Sequence, residues 1–238
     1  MTRRLRGNST EEVPTLQHAQ RLGYAFFTSF YDFALAILTR EKYLCRLLVD
    51  ILQPEFDDFI LDVRSGAGNL AIAVHRRQPV ELYVGLDPDA EAVRRGRKKA
   101  RRYRSTAIFL IGCLHSEELP ADLKPNKIVG SLALHQMPLN EKKRVFKAMS
   151  ESLMPGGKTI VADYGLQGSR LSKLLFGITV QALRGVTDTQ PNADGKLPTL
   201  LLEAGFDNIQ ETHRIPTLTG VISIYSCSKP TNSNAALS

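Results

Sequence analysis

The stretch ILDVRSGAGNL, residues 60–70, decides how this chain is read. With Phe59 it begins as a short apolar run, passes through Gly66 and Gly68, and leads into a helical pattern over residues 70–77. A buried strand, a glycine loop and a helix, in that order, open a doubly wound α/β sheet. The glycines let the backbone turn tightly and let a ligand approach without Cβ obstruction, while the helix start offers free N–H groups. Two glycines after a strand are common, so the weight comes from the next unit. Residues 82–86 (LYVGL) read as a second strand, and Asp87 follows it 19 residues beyond Gly68. A carboxylate about 20 residues past such a loop is placed to accept both hydroxyls of a ribose. The pair points to a nucleoside site.

The alternation continues outward. Residues 107–112 read as a third strand, 127–134 as a fourth followed by a helix over 140–153, and Pro155-Gly156-Gly157 turns the chain into a fifth strand at 158–164. Short apolar strands between helices imply a parallel, doubly wound sheet. A helix at 197–204, ended by Gly205, precedes two last strands at 209–213 and 220–227 that close the sheet as a hairpin-like edge. Toward the start, residues 16–52 read as helices, with Leu44, Leu47, Leu48 and Ile51 at helical spacing and Pro54 as the stop. The fold class expected is α/β: a Rossmann-like, doubly wound, mostly parallel seven-stranded sheet with an N-terminal helical cap. Its parts are a polar tail at 1–15, one domain over 16–230 (cap 16–52, core 53–230) and a polar tail at 231–238.

Composition narrows the function classes. Of 238 residues, 43% are apolar and 23% charged, which suits one domain with a substantial core. Nothing approaches the ~18 consecutive apolar residues of a membrane span; the longest candidate, 24–38, is short and carries Asp32. The basic start is followed by polar residues 7–12 where a signal peptide would be apolar, so a cytoplasmic location is expected, with membrane contact at most peripheral. Cys45, Cys113 and Cys227 have neither metal-ligand spacing nor a disulfide pattern, and read as small buried hydrophobes. No metal is expected. Residues 94–104 hold eight Lys or Arg and no acid, one more than the whole net charge of +7, so the rest of the chain is close to neutral. Val93, Gly96, Ala100 and Tyr103 recur there at helical spacing as an inner stripe, so the charges read as a solvated helix face, with a patch for an anionic membrane or nucleic acid as the alternative and nucleic acid not the expected partner.

The ordered motifs ILDVRSGAGNL, VGLDPD and LMPGGKTIVADYG, with LLLEAGFDNIQ and TLTGVISIYSCSKP behind them, resemble the class I S-adenosylmethionine-dependent methyltransferases, in particular the ubiquinone/menaquinone-biosynthesis type. Tyr31-Asp32 is similar to a Tyr-Asp pair in that family's helical cap. The resemblance implies S-adenosyl-L-methionine as cofactor and EC 2.1.1 chemistry on a small acceptor. It implies that Asp62 orients the glycine loop and the amino end of the methionine moiety. Gly66, Ala67 and Gly68 would line that moiety, Asp87 hold the ribose, Cys113 and Leu114 flank adenine, and Ser131 close the pocket near the sulfonium. Two positions depart from the pattern. Arg64 stands where the family has a glycine, either paired with the cofactor carboxylate or turned to solvent, and a left-handed turn there would be strained. Cys113 stands where an Asp or Asn meets the adenine amine, and a thiol is a poor acceptor.

Methyl transfer needs alignment and exclusion of water, plus a base where the acceptor must first lose a proton. Candidates are His135 after the fourth strand, Asp163 at the end of the fifth, and Tyr31 in the cap, with Tyr164 beside them. His135 also reads as a backbone-bonded structural residue, Asp163 as a cap for the next segment, and Tyr31 as packing. Residues 171–183 (LSKLLFGITVQAL) are apolar enough to roof a hydrophobic pocket, or to face the core or a partner. The expected acceptor is therefore small and hydrophobic or aromatic. A second reading is a methyltransferase-fold protein whose pocket is degenerate or repurposed and which serves as a binding or partner subunit. A homodimer is compatible with either.

Overall fold

The computed structural model describes residues 41–114 and 124–231. The tail at 1–15, the cap up to residue 40 with Tyr31 and Asp32, His18, His115 and residues 232–238 lie outside them.

The chain enters through α1 (Glu41–Leu52) and then alternates β1 (Phe59–Val63), α2 (Asn69–Arg77), β2 (Leu82–Asp87), α3 (Ala90–Tyr103) and β3 (Ile108–Ile111). After β4 (Lys127–Ser131) come a 3-10 turn (Leu134–Gln136), α4 (Leu139–Ser152) and β5 (Lys158–Tyr164). An insertion follows: α5 (Arg170–Phe176), a π turn (Gly177–Gln181), α6 (Ala182–Arg184) and α7 (Val186–Ala193). Then α8 (Leu197–Glu203) leads to β6 (Asp207–Thr217) and β7 (Gly220–Ser228).

The sheet has seven strands in the order β3-β2-β1-β4-β5-β7-β6. β1 to β5 are parallel, and β7 runs antiparallel between β5 and β6. The chain order reverses between β1 and β4, and crevices for ligands open at the carboxyl ends of strands beside such a switch. β1 is buried along its whole length because both faces are covered. One face packs on α1, α2 and α3 through Leu48, Leu70, Val74 and Val93, and the other on α4 and α8 through Phe146, Met149 and Leu201.

At the amino ends of the strands the buried carboxylate of Asp58 ties β1 to β4. Its Oδ2 accepts from Lys127 Nζ at 2.7 Å and its Oδ1 from Asn126 Nδ2 at 2.8 Å, while Asn126 Oδ1 accepts from Phe59 N at 2.9 Å. The carboxyl ends are thereby left for the site.

β4, β6 and Tyr103 depart from the sequence expectation, β6 by running over Asp207–Thr217 rather than 209–213. β4 stops at Ser131, short of residue 134, because Leu132 enters the left-handed region at φ +53° and the chain coils into the 3-10 turn. Residues 186–193 are helical despite Pro191, held by buried Thr189 and Asn192. Tyr103 is partly exposed and lies outside the inner stripe, its ring flanked by the guanidinium groups of Arg76 and Arg102.

One packing feature fixes the approach of α2 and α3 to the sheet. The Phe109 ring sits in a socket of missing side chains: a Cβ on Gly68, Gly85 or Gly96 would come within 2.5, 2.8 and 2.9 Å of it. Gly96→Ala removes a helix-interior glycine, a change that alone would stabilise by ~1 kcal/mol. The socket reverses the sign, and the substitution is expected to destabilise by about 1–3 kcal/mol in chemical denaturation through overpacking.

Candidate functional site

The loop after β1 contains three residues in the left-handed region: Arg64 (φ +64°), Gly66 (φ +54°) and Gly68 (φ +71°). The strain expected at Arg64 is therefore present, about 1–2 kcal/mol for a side-chain-bearing residue. The turn is held from the neighbouring strand. Ser65 N donates to Leu86 O at 2.9 Å, and Gly66 N donates to Asp87 Oδ2 at 2.9 Å. Asp87 Oδ1 accepts from Asp89 N at 2.9 Å, and Asp89 in turn caps α3 by accepting from Glu91 N. Asp87 thus receives one backbone N–H on each oxygen and keeps further lone pairs. A Cβ on Gly66 would meet nothing within 4 Å, so the loop presents open space at that point.

Beneath the loop Asp62 is buried, with its Oδ2 accepting from Tyr83 Oη at 2.7 Å. Burial pushes the Asp62 carboxyl up to about 7, against the lowering effect of the Tyr83 bond and with a smaller upward contribution from Asp87. Burial likewise drives the Cys45 and Cys227 thiols up to about 12, as suits unreactive packing cysteines. Among the described residues no His, Cys, Asp and Glu cluster could hold a metal.

A cavity of about 210 Å³ opens beside this loop, on the α4 side of the sheet. Arg64, Cys113 and Leu114 line it, as do Leu86, Met137 and Val145. The sequence reading named the first three. It missed the contribution from the 3-10 turn and α4, whose apolar residues at 137 and 145 look like ordinary helix-face positions. Asp62, Gly66, Ala67, Gly68, Asp87 and Ser131, expected at the same site, are not part of this lining, nor are His135 and Asp163. Arg64 engages in no hydrogen bond or ion pair among the described residues, so its guanidinium is a free cation at an otherwise mainly apolar wall.

His135 and Asp163, separate guesses in the sequence, meet in the structure. Both are fully buried, with His135 Nδ1 2.8 Å from Asp163 Oδ1. Asp163 also accepts from Leu134 N (2.6 Å) and His135 N (3.1 Å) on Oδ2, and from Tyr164 N (2.7 Å) on Oδ1. With four donors around it, this carboxylate has no capacity left to take a proton from a ligand; it orients. The Nδ1 contact fixes the orientation of the ring and leaves Nε2 as its other nitrogen, buried and with no partner among the described residues. The His135 ring meets Tyr164 edge-on at 4.9 Å, and Tyr164 packs on Phe176 at 5.1 Å. The N-terminal end of α4 is secured by Lys142, whose Nζ donates to the carbonyls of Met137 and Asp188. Tyr31 lies outside the described residues.

The chain is similar to known proteins in part of its sequence and in its fold. A family profile described as a methyltransferase domain matches residues 60–157. Ribosomal RNA small subunit methyltransferase H of Nautilia profundicola is 29% identical over 97 residues, 40% of this chain and 32% of that protein. The chain thus spans about a third of the curated relative it matches. Among solved structures, the YcgJ protein of Bacillus subtilis superposes with a TM-score of 0.64 at 11% identity, over 80% of this chain and 100% of that one. Magnesium protoporphyrin IX methyltransferase of Synechocystis PCC 6803, solved with S-adenosylhomocysteine, gives 0.59 at 16% identity, over 93% and 90%. Phosphoethanolamine N-methyltransferase 2 of Haemonchus contortus gives 0.62 at 12% identity, over 79% and 53%. The chain shares its fold with solved methyltransferases. That fold is shared by enzymes with unlike acceptors and does not single out the ubiquinone/menaquinone-biosynthesis branch.

Asp62 gives a pH test of the site's electrostatics. Its folded-state pKa of about 7 lies above the ordinary 3.8, so the folded protein binds this proton more tightly than the unfolded chain does. The resulting stability is fully present below pH ~4 and is lost as pH rises through ~7. Asp62→Asn keeps an acceptor for Tyr83 and is expected to be more stable than the parent by about 2–4 kcal/mol at pH 8. The gap should close toward pH 4 in denaturation curves measured across the range.

Proposed function

We propose that this protein is an S-adenosylmethionine-dependent methyltransferase (EC 2.1.1) acting on a small, hydrophobic or aromatic acceptor. One observation carries the reading: in a methyltransferase fold, the Asp87 carboxylate lies against the amide of Gly66 in a loop open to a ligand. The residues fit the cofactor. Asp87 keeps lone pairs for a vicinal diol, Leu86, Leu114 and Met137 offer apolar surface to a flat base, and the Gly66–Gly68 turn leaves room for a chain to pass. In this reading Asp62 lies under the turn, bonded to Tyr83, and Ala67 and Ser131 are further candidates for contact with the cofactor. When bound, the cofactor supplies a methyl group made electrophilic by its sulfonium.

The chain's own part is orientation and proton handling. Asp163 fixes the His135 ring, which is fully buried and stands behind Gln136 and Met137 of the cavity wall, and Nε2 is the candidate base for an acceptor that must lose a proton. Tyr31 belongs with the acceptor side in this reading. Asp163 is a positioning residue, since its own oxygens are committed to backbone N–H groups.

Arg64 favours a second reading, a repurposed pocket, because an unpaired guanidinium on a strained backbone lines the cavity. Calorimetric titration with S-adenosylmethionine and its demethylated product separates the two. The proposal expects binding to the intact protein, weakened by about 10–100-fold (~1.4–3 kcal/mol) in Asp87→Ala. No binding to the parent, together with binding in Arg64→Gly, would make the pocket one that Arg64 has closed to this cofactor. Arg64→Gly is also expected to raise stability by about 0.5–1 kcal/mol, strain relief exceeding the added chain entropy.

A further inference from the structure

The insertion after β5 is apolar on two sides. Its inner side is satisfied: Phe176 and Val180 are buried in the core, and the Ser169–Ser172 capping box starts the helix cleanly. Its outer side is not. Leu171, Leu174, Ile178 and Leu183 are 65, 59, 62 and 62% exposed. They follow one another at intervals of three, four and five residues, and the interval of five spans the π turn. A π turn carries an extra residue, so the wider interval keeps Leu183 on the stripe that an unbroken α-helix would rotate it away from. A helix that is apolar all round is ordinarily enclosed, and an exposed row of four large aliphatics marks an interaction surface.

The charge around the stripe selects the occupant. No Asp or Glu occurs between Asp163 and Asp188. Arg170 and Lys173 flank the stripe, both exposed and neither in an ion pair among the described residues. A second copy of the chain, meeting patch to patch in a two-fold dimer, would bring these cations against themselves. Nucleic acid would find the cations but no aromatic platform, with four aliphatics in the way. A row of apolar side chains with two cations beside it, unpaired among the described residues, matches the boundary between acyl chains and anionic headgroups. Among the described residues no helix is long and apolar enough to cross a membrane, so the contact is one of docking.

We propose that the stripe of Leu171, Leu174, Ile178 and Leu183, with Arg170 and Lys173, docks this protein on the surface of an anionic lipid bilayer. α5 begins six residues beyond Tyr164, so the insertion follows from the carboxyl end of β5, the end of the strands at which the loop after β1 also lies. That docking serves to draw a hydrophobic acceptor from the lipid rests on the methyltransferase reading; the docking itself does not.

The test is co-sedimentation of the full chain with vesicles of phosphatidylcholine alone and with phosphatidylglycerol added, beside calorimetry with S-adenosylmethionine and thermal melting. Expected is binding about tenfold or more stronger on the anionic vesicles, weakened by salt. Leu174→Asp/Ile178→Asp and Arg170→Glu/Lys173→Glu should each reduce it by about tenfold or more, with melting and cofactor binding unchanged. Failure of the parent to bind anionic vesicles would overturn the proposal. So would binding that survives both double variants and is lost only when the arginines of α3 are neutralised. A lower melting temperature in Leu174→Asp/Ile178→Asp would show the stripe buried by the protein's own chain, and a lipid-free dimer split by that variant would show it buried by a second copy. Vesicle binding without cofactor binding would overturn the methyltransferase reading alone, and the converse would overturn only the docking.

Discussion

A carboxylate removed from water has to be surrounded by donors, and at Asp163 that requirement organises the active end of the molecule. Three of its donors are backbone N–H groups, from Leu134, His135 and Tyr164, so satisfying the charge fixes main chain as well as a side chain. The path of residues 134–136 is thereby locked to the end of β5. Met137 follows from that path and reaches the cavity wall, while Lys142, one turn further on, closes the junction against α7. On its other side, Tyr164 passes the constraint to Phe176 and hence to the insertion. Cavity wall, histidine and insertion share one anchor.

The loop after β1 obeys a different constraint, close approach. Gly68, Gly85 and Gly96 are small because Phe109 fills the space between α2, α3 and the sheet. Gly68 thus has two roles, a left-handed turn and a packing contact. Asp87 joins this region to the ligand side by holding Gly66 from the next strand. Arg64 is the discordant residue: it takes the same left-handed geometry without a glycine's freedom, and the bonds of Ser65 and Gly66 to β2 hold it there.

What the sequence disclosed follows from where information is local. β1, β2 and β5 were legible because strands covered on both faces are continuous apolar runs, and the glycine loop and Asp87 because their spacing along the chain is itself the signal. The pairing of His135 with Asp163 joins residues 28 apart, one on the 3-10 turn after β4 and one on β5, and no spacing rule marks it. The cavity wall from Met137 and Val145 was hidden for the same reason: a helix face toward a ligand and a helix face toward the core carry the same apolar pattern. Leu132 shows the limit at boundaries, where a hydrophobic residue continues the strand pattern although its backbone has already turned left-handed. Tyr103 shows it for periodicity, since two neighbouring guanidinium groups hold at the surface a ring that the helical stripe assigns to the interior.

The insertion joins these threads, because its two apolar faces have different claims on it. Phe176 and Val180 commit the inner face to the core, and Gln167 ties the segment's start to β7 through both its amide nitrogen and its oxygen. Asn192, donating to Tyr164 O, ties its end to β5. A segment fastened at both ends and along its inner face cannot turn over to bury Leu174 and Ile178 without giving up Phe176. The outer row therefore stays outside by construction. The helix that carries it is joined by ring contacts, Phe176 to Tyr164 to His135, to the atom that the site leaves unpartnered. The insertion and the His135 ring are thus parts of one packed column, and a change in either is felt by residues that hold the other.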